Sequence, residues 1–124
     1  MAMLDIRNVS KFFGGLAANS DVSFSMEQGM IMGLIGPNGA GKTTLFNCIT
    51  GYYPPSKGEV VFKGTRLNGM QPDRVCRLGM VRTWQKVRPL AKMSVVDNVM
   101  VGALTRTSSL KVAREAALEQ LEIV

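Results

Sequence analysis

Residues 36–43 read Gly-Pro-Asn-Gly-Ala-Gly-Lys-Thr, which is a glycine, four free positions and then Gly-Lys-Thr. That spacing is the phosphate-binding loop, or P-loop, and it dictates what must stand on either side: a strand before it and a helix after it. The flanks comply. Residues 30–35 are apolar except for Gly33, as suits a strand covered on both faces. Residues 43–50 carry Leu45, Phe46 and Ile49 at helical spacing, and Gly51 stands where a helix stops.

The chemistry follows from the residue types. Gly36, Gly39 and Gly41 let main-chain N–H groups of the 38–41 run, Asn38, Gly39, Ala40 and Gly41, turn towards one point without a side chain in the way. The helix N-terminus adds its positive dipole end. Lys42 is positioned to reach the β- and γ-phosphates of a nucleoside triphosphate, Thr43 to ligate Mg2+ bridging the same oxygens, and Thr44 to touch the α-phosphate.

Composition removes competing chemistries. The 124 residues contain no histidine, so the commonest general base and metal ligand is missing. Cys48 and Cys76 stand singly, without metal-ligand spacing, and read as free thiols in a reducing compartment. The net charge of +6 comes from basic residues spread from Arg7 to Arg114, and aromatics are only 6%, so no nucleic-acid surface is expected. No apolar run approaches the roughly 20 residues that cross a bilayer, and residues 1–10 do not read as a secretory signal.

Periodicity gives the remaining elements. Residues 3–9 and 21–26 alternate as half-buried antiparallel strands, with Val22, Phe24 and Met26 on one side and Ser23 and Ser25 on the other. A turn over 52–57 leads to a strand at 58–63, Pro72 opens a short helix to Leu78, and 80–83 reads as a brief strand. Ser94 and Asp97 form a capping box for a helix to Val101; a polar linker over 105–109 precedes a helix over 110–124.

The run GLIGPNGAGKTTLFNCITGYYPPSKGEV, with VRTWQ about forty residues past the loop, resembles the ATP-binding subunit of an ABC transporter. KFFGGLAA and VRTWQKVRPLAKMSVVDNVMVGAL sharpen this to the ATPases of branched-chain amino acid importers. The resemblance covers nearly the whole chain and implies an α/β P-loop nucleoside triphosphate hydrolase of ABC type. What is expected is its N-terminal part, an antiparallel β subdomain with an incomplete parallel core. Its segments would be an antiparallel β region (1–29 and 58–70), the strand-loop-helix (30–51), a glutamine-loop region (80–101) and the start of a helical subdomain (102–124).

By position, Phe13 corresponds to the aromatic that stacks on adenine, with Phe12 as the alternative, and Ala18 would flank the same base. Gln85 corresponds to the glutamine that touches Mg2+ or the attacking water and senses the transmembrane partner, a catalytic role shared with Lys42. Residues 86–93 would lie near the coupling surface for a permease subunit, or be a plain surface loop. The implied cofactors are ATP and Mg2+, the implied location the cytoplasmic face of the membrane.

The resemblance also defines what these residues lack: the four apolar residues followed by Asp-Glu, the Leu-Ser-Gly-Gly-Gln signature and the late histidine. The expectation is therefore a fragment with little hydrolysis of its own that self-associates through an unsatisfied strand edge. Against a GTPase, no Asn-Lys-x-Asp segment occurs, and no arginine-rich lid suggests a small kinase. A non-enzymatic assembly module with a vestigial loop is the remaining alternative.

Overall fold

Strand β1 (Leu4–Phe13) turns through Gly14 and Gly15 into the antiparallel β2 (Leu16–Met26), and the hairpin is extended by β3 (Lys57–Phe62) and β4 (Thr65–Arg66) in the sheet order β2-β1-β3-β4. The computed structural model describes all of residues 1–124. Its two units are Met1–Arg82 and Thr83–Val124.

The first unit is built around β1. Leu4 and Ile6 point into the core, and a register shift before Val9 resets the alternation so that Val9 points inward too. The extra residue on β1 is absorbed at Asn8, at φ 50°, and a second shift, between Val9 and Lys11, puts an extra residue on β2 beside Asp21, at φ 51°. Asn8 Nδ2 donates to Asp21 Oδ1 at 2.8 Å, and the Asn8 amide donates to Ser23 Oγ at 2.8 Å, so the bulge is held by side chains. Opposite it lies Gly58, at φ +84°, where any Cβ would collide with the Arg7 and Asn8 carbonyls.

Val60 and Phe62 of β3 join Leu4, Ile6 and Val9 under helix α1 (Lys42–Ile49), which contributes Leu45 and Ile49. Leu67 and, from α2 (Pro72–Arg77), Val75 close the cluster. Burial of such aliphatic side chains is worth about 1.5–3 kcal/mol each, so this cluster is what fixes α1 on the sheet. Cys48 is buried on the same helix, and desolvation pushes its thiol above the usual range, with Lys11 opposing. Both cysteines are free.

Two expected strands do not form. Residues 30–35 have no strand assignment, with Ile31 98% and Ile35 95% exposed. A strand buried on both faces needs neighbours that pair with it, and the only sheet in this chain is the antiparallel one, to which 30–35 does not belong. Residues 80–83 likewise have no strand assignment and add no strand to that sheet. β2, by contrast, begins five residues earlier than its alternating half suggests, because pairing with β1 carries it through Ala17 and Asn19.

The second unit pairs α3 (Val95–Ala103) with α4 (Leu110–Ile123), burying Ala113 and Ala117. Ser94 Oγ accepts from the Asp97 amide at 3.1 Å, and Ser109 Oγ accepts from the Val112 amide at 3.3 Å, so each helix starts at a serine cap. No helix is long and apolar enough to cross a membrane.

Candidate functional site

The loop preceding α1 has the backbone that its glycines allow. Gly39 and Gly41 sit at φ 85° and 90°, a region costly for other residues. The Ala40 amide donates to the Pro37 carbonyl at 3.1 Å, tightening the turn. Gly41 is the N-cap of α1, and the helix proper begins at Lys42. The first amides of a helix have no intrahelical partner, so those of Lys42, Thr43 and Thr44 face the loop. No acidic side chain lies in the first turn to occupy them.

Lys42 Nζ donates to the carbonyl of Gly36, bringing the ammonium back across the loop. Thr43 is exposed and Thr44 half-buried at the same helix end. The loop is anchored from below by β2. A Cβ on Gly41 would land on the Ala18 carbonyl oxygen and lie 2.7 Å from Asn19 Nδ2, so the two backbones touch only because residue 41 is glycine. Asn19 Nδ2 donates to the Gly41 carbonyl at 3.0 Å. Its Oδ1 is buried without a hydrogen-bond partner. Ala18 thus meets the loop through its main chain, and Asn19, which the sequence did not single out, clamps the loop through its amide.

At the same end of the hairpin, Phe13 is 43% exposed and meets the Tyr53 ring edge to face, with centroids 5.4 Å apart and planes at 80°. Phe12 has a different neighbour, Lys57 Nζ at 5.7 Å from its ring. Residues 51–56, between α1 and β3, are stitched down on both sides. The Asn47 carbonyl of α1 accepts from the amides of Tyr52 and Tyr53 at 2.9 and 3.2 Å, while the Ser56 amide donates to the Ser10 carbonyl at 2.8 Å.

Gln85 lies on a bend in the second unit and is exposed. Trp84, Val87, Leu90 and Met93 around it are exposed apolar side chains. The stretch from Leu90 to Ser94 is organised by one residue of α3: Asn98 Oδ1 accepts from the Leu90 amide at 2.7 Å, and its Nδ2 donates to the carbonyls of Leu90, Met93 and Ser94 at 3.1, 3.3 and 2.9 Å.

For Mg2+ the donor set is lean. No group of three or more His, Cys, Asp or Glu side chains comes together, and the loop offers the Thr43 hydroxyl. This fits an ion that keeps several waters and takes phosphate oxygens as ligands, binding with its nucleotide instead of in a protein cage.

Comparison with known proteins adds the family context. The model of the family described as ABC transporter matches residues 19–124. The probable branched-chain amino acid transport ATP-binding protein LivG of Archaeoglobus fulgidus is 44% identical over 101 residues, covering 82% of this chain and 39% of that protein. The high-affinity branched-chain amino acid transport ATP-binding protein LivG of Escherichia coli K12 is 36% identical, covering 95% of this chain and 51% of its own length. The chain thus spans two fifths to one half of these curated relatives. Among solved structures, the ADP conformation of an ATP-binding cassette of an ABC transporter superposes with a TM-score of 0.76 at 35% identity, over 91% of this chain and 44% of that one. A dimeric bacterial ABC transporter cassette gives 0.78 at 26% identity, over 97% and 56%.

Proposed function

Because this chain belongs to the ABC transporter family of ATP-binding domains, we propose that it binds Mg-ATP through residues 36–44 and forms part of an importer ATPase for branched-chain amino acids. The observation that carries this reading is the loop itself. Its glycines lie at φ 85° and 90°, Lys42 Nζ reaches back to the Gly36 carbonyl, and α1 opens with no acidic side chain in its first turn, a combination that suits a polyphosphate. A polyphosphate would replace the Gly36 carbonyl as the partner of Lys42, exchanging a neutral acceptor for a charged one.

In this reading Asn38, Gly39, Ala40 and Gly41 supply main-chain donors, Lys42 the charge at the β- and γ-phosphates, Thr43 the Mg2+ ligand and Thr44 a further hydroxyl. Phe13 stacks on the base, and Ala18 flanks it. Gln85, on the exposed bend, completes the Mg2+ or water contact and reports to a permease subunit through residues 86–93. A magnesium ion held by Thr43 would supply charge neutralisation to the bound polyphosphate. The segments fall as a β region (1–29 and 58–70), a phosphate loop and helix (30–51), a glutamine loop (80–101) and a helical region (102–124). The protein would act peripherally at the cytoplasmic face of the membrane.

Calorimetric titration tests the core of this. Mg-ATP is expected to bind in preference to Mg-GTP, with negligible phosphate release, since in-line attack depends on groups that the 124 residues do not contain. Absence of heat with either nucleotide would make the loop vestigial.

A second copy of the chain is the further partner proposed. Ile31 and Ile35 are exposed on an unpaired apolar segment, a ready template for another chain. Chromatography with light scattering should give a mass above that of one 13.5 kDa chain; a clean monomer across the accessible concentration range rules this out.

A further inference from the structure

Three side chains at the end of the hairpin form a cluster that the phosphate loop does not use. Tyr53 meets Phe13 edge to face, and Lys11 Nζ lies 5.3 Å from the Phe13 centroid and 5.6 Å from that of Tyr53. Lys11 is itself fixed, because Nζ donates to the Pro54 carbonyl at 3.0 Å. Both rings keep substantial open surface, 43% for Phe13 and 39% for Tyr53, so the contact between them leaves ring area free. The main chain of Tyr53 hangs from the Asn47 carbonyl, on the helix that begins with Lys42.

We infer that Tyr53 is the positioning residue of a base platform: its ring sets the plane of Phe13 for a purine and ties that plane to the phosphate-binding helix. A nucleoside triphosphate is gripped at two ends, and a ring that rotates freely at the base end gives up part of its stacking contact to the entropy of being ordered. An edge-to-face partner removes that freedom before the ligand arrives. Lys11, drawn to both rings and held by Pro54, closes the third side of the cluster. The inference rests on the assignment of Phe13 as the stacking residue made above.

Inorganic tripolyphosphate separates the two ends of the site, because it engages the phosphate loop and has no base. Binding of Mg-ATP and of Mg-tripolyphosphate to the full chain is compared by calorimetry for the parent protein, Tyr53→Ala, Tyr53→Phe, Phe13→Ala and the double alanine variant. Tyr53→Ala should weaken ATP about 2- to 10-fold, the range that one aromatic pair supplies, and leave tripolyphosphate unchanged. Tyr53→Phe should retain ATP affinity, since the ring and not the hydroxyl makes the contact. The second alanine should add nothing once Phe13 is gone. If Phe13→Ala weakens ATP selectively while Tyr53→Ala does not, or if Tyr53→Ala weakens both ligands alike, the positioning role is wrong although the stacking assignment stands. If Phe13→Ala leaves the ratio of the two affinities unchanged, the stacking assignment fails and takes this inference with it.

Discussion

Lys42→Ala should weaken Mg-ATP binding by about 10- to 100-fold, the loss expected when a charge-assisted hydrogen bond is deleted and the phosphate oxygens are left with neutral donors alone. The fold should survive the change. Lys42 is half-buried, its Nζ contacts the Gly36 carbonyl, and it is not a member of the hydrophobic cluster that holds α1 to the sheet. Denaturation midpoints of parent and variant should therefore agree while their calorimetric affinities part. Lys42→Arg keeps the charge but substitutes a planar fork for a compact ammonium, so partial recovery is expected. Unchanged affinity in Lys42→Ala would remove the ammonium from the site altogether.

Gly41→Ala should damage both stability and binding, and comparison with Gly39→Ala isolates why. Both glycines have φ near 90°, so an alanine at either pays the same kind of torsional penalty, about 1–3 kcal/mol. Only at position 41 does the new methyl group also meet main chain, at the Ala18 carbonyl, whereas at Gly39 nothing lies within 4 Å. The loop would have to lift from β2, breaking the 3.0 Å bond from Asn19 Nδ2 to the Gly41 carbonyl and shifting the first amides of α1. Gly41→Ala is thus expected to lower unfolding free energy well beyond Gly39→Ala and to abolish measurable nucleotide binding. Equal destabilisation by the two variants would show that the approach of the loop to β2 carries no weight.

The sequence made the site more legible than the scaffold around it. Gly39 and Gly41 were readable because few other residues tolerate their backbone, and Val22, Phe24 and Met26 because a half-buried strand writes its period into composition. The bulge at Asn8 left no such trace, since an asparagine at φ 50° looks like any polar residue until Asp21 and Ser23 are seen to hold it. Residues 30–35 have the composition of a buried strand but lie exposed, because burial belongs to a segment's neighbours and not to the segment. Tyr53 and Asn19 went unmarked for a related reason. Their partners, Phe13 and the Gly41 carbonyl, are distant in sequence and meet them only after the hairpin and helix have assembled.

Asn98 gives the second unit a property of its own. With one amide group it engages Leu90 through both amide and carbonyl, and it also reaches the carbonyls of Met93 and Ser94. Freezing a residue's backbone costs about 1–2 kcal/mol, and the bonds to Asn98 offset part of that cost for this short stretch. Its relief is thus tied to a single side chain, and replacing Asn98 would leave that contour to be moulded by whatever lands there.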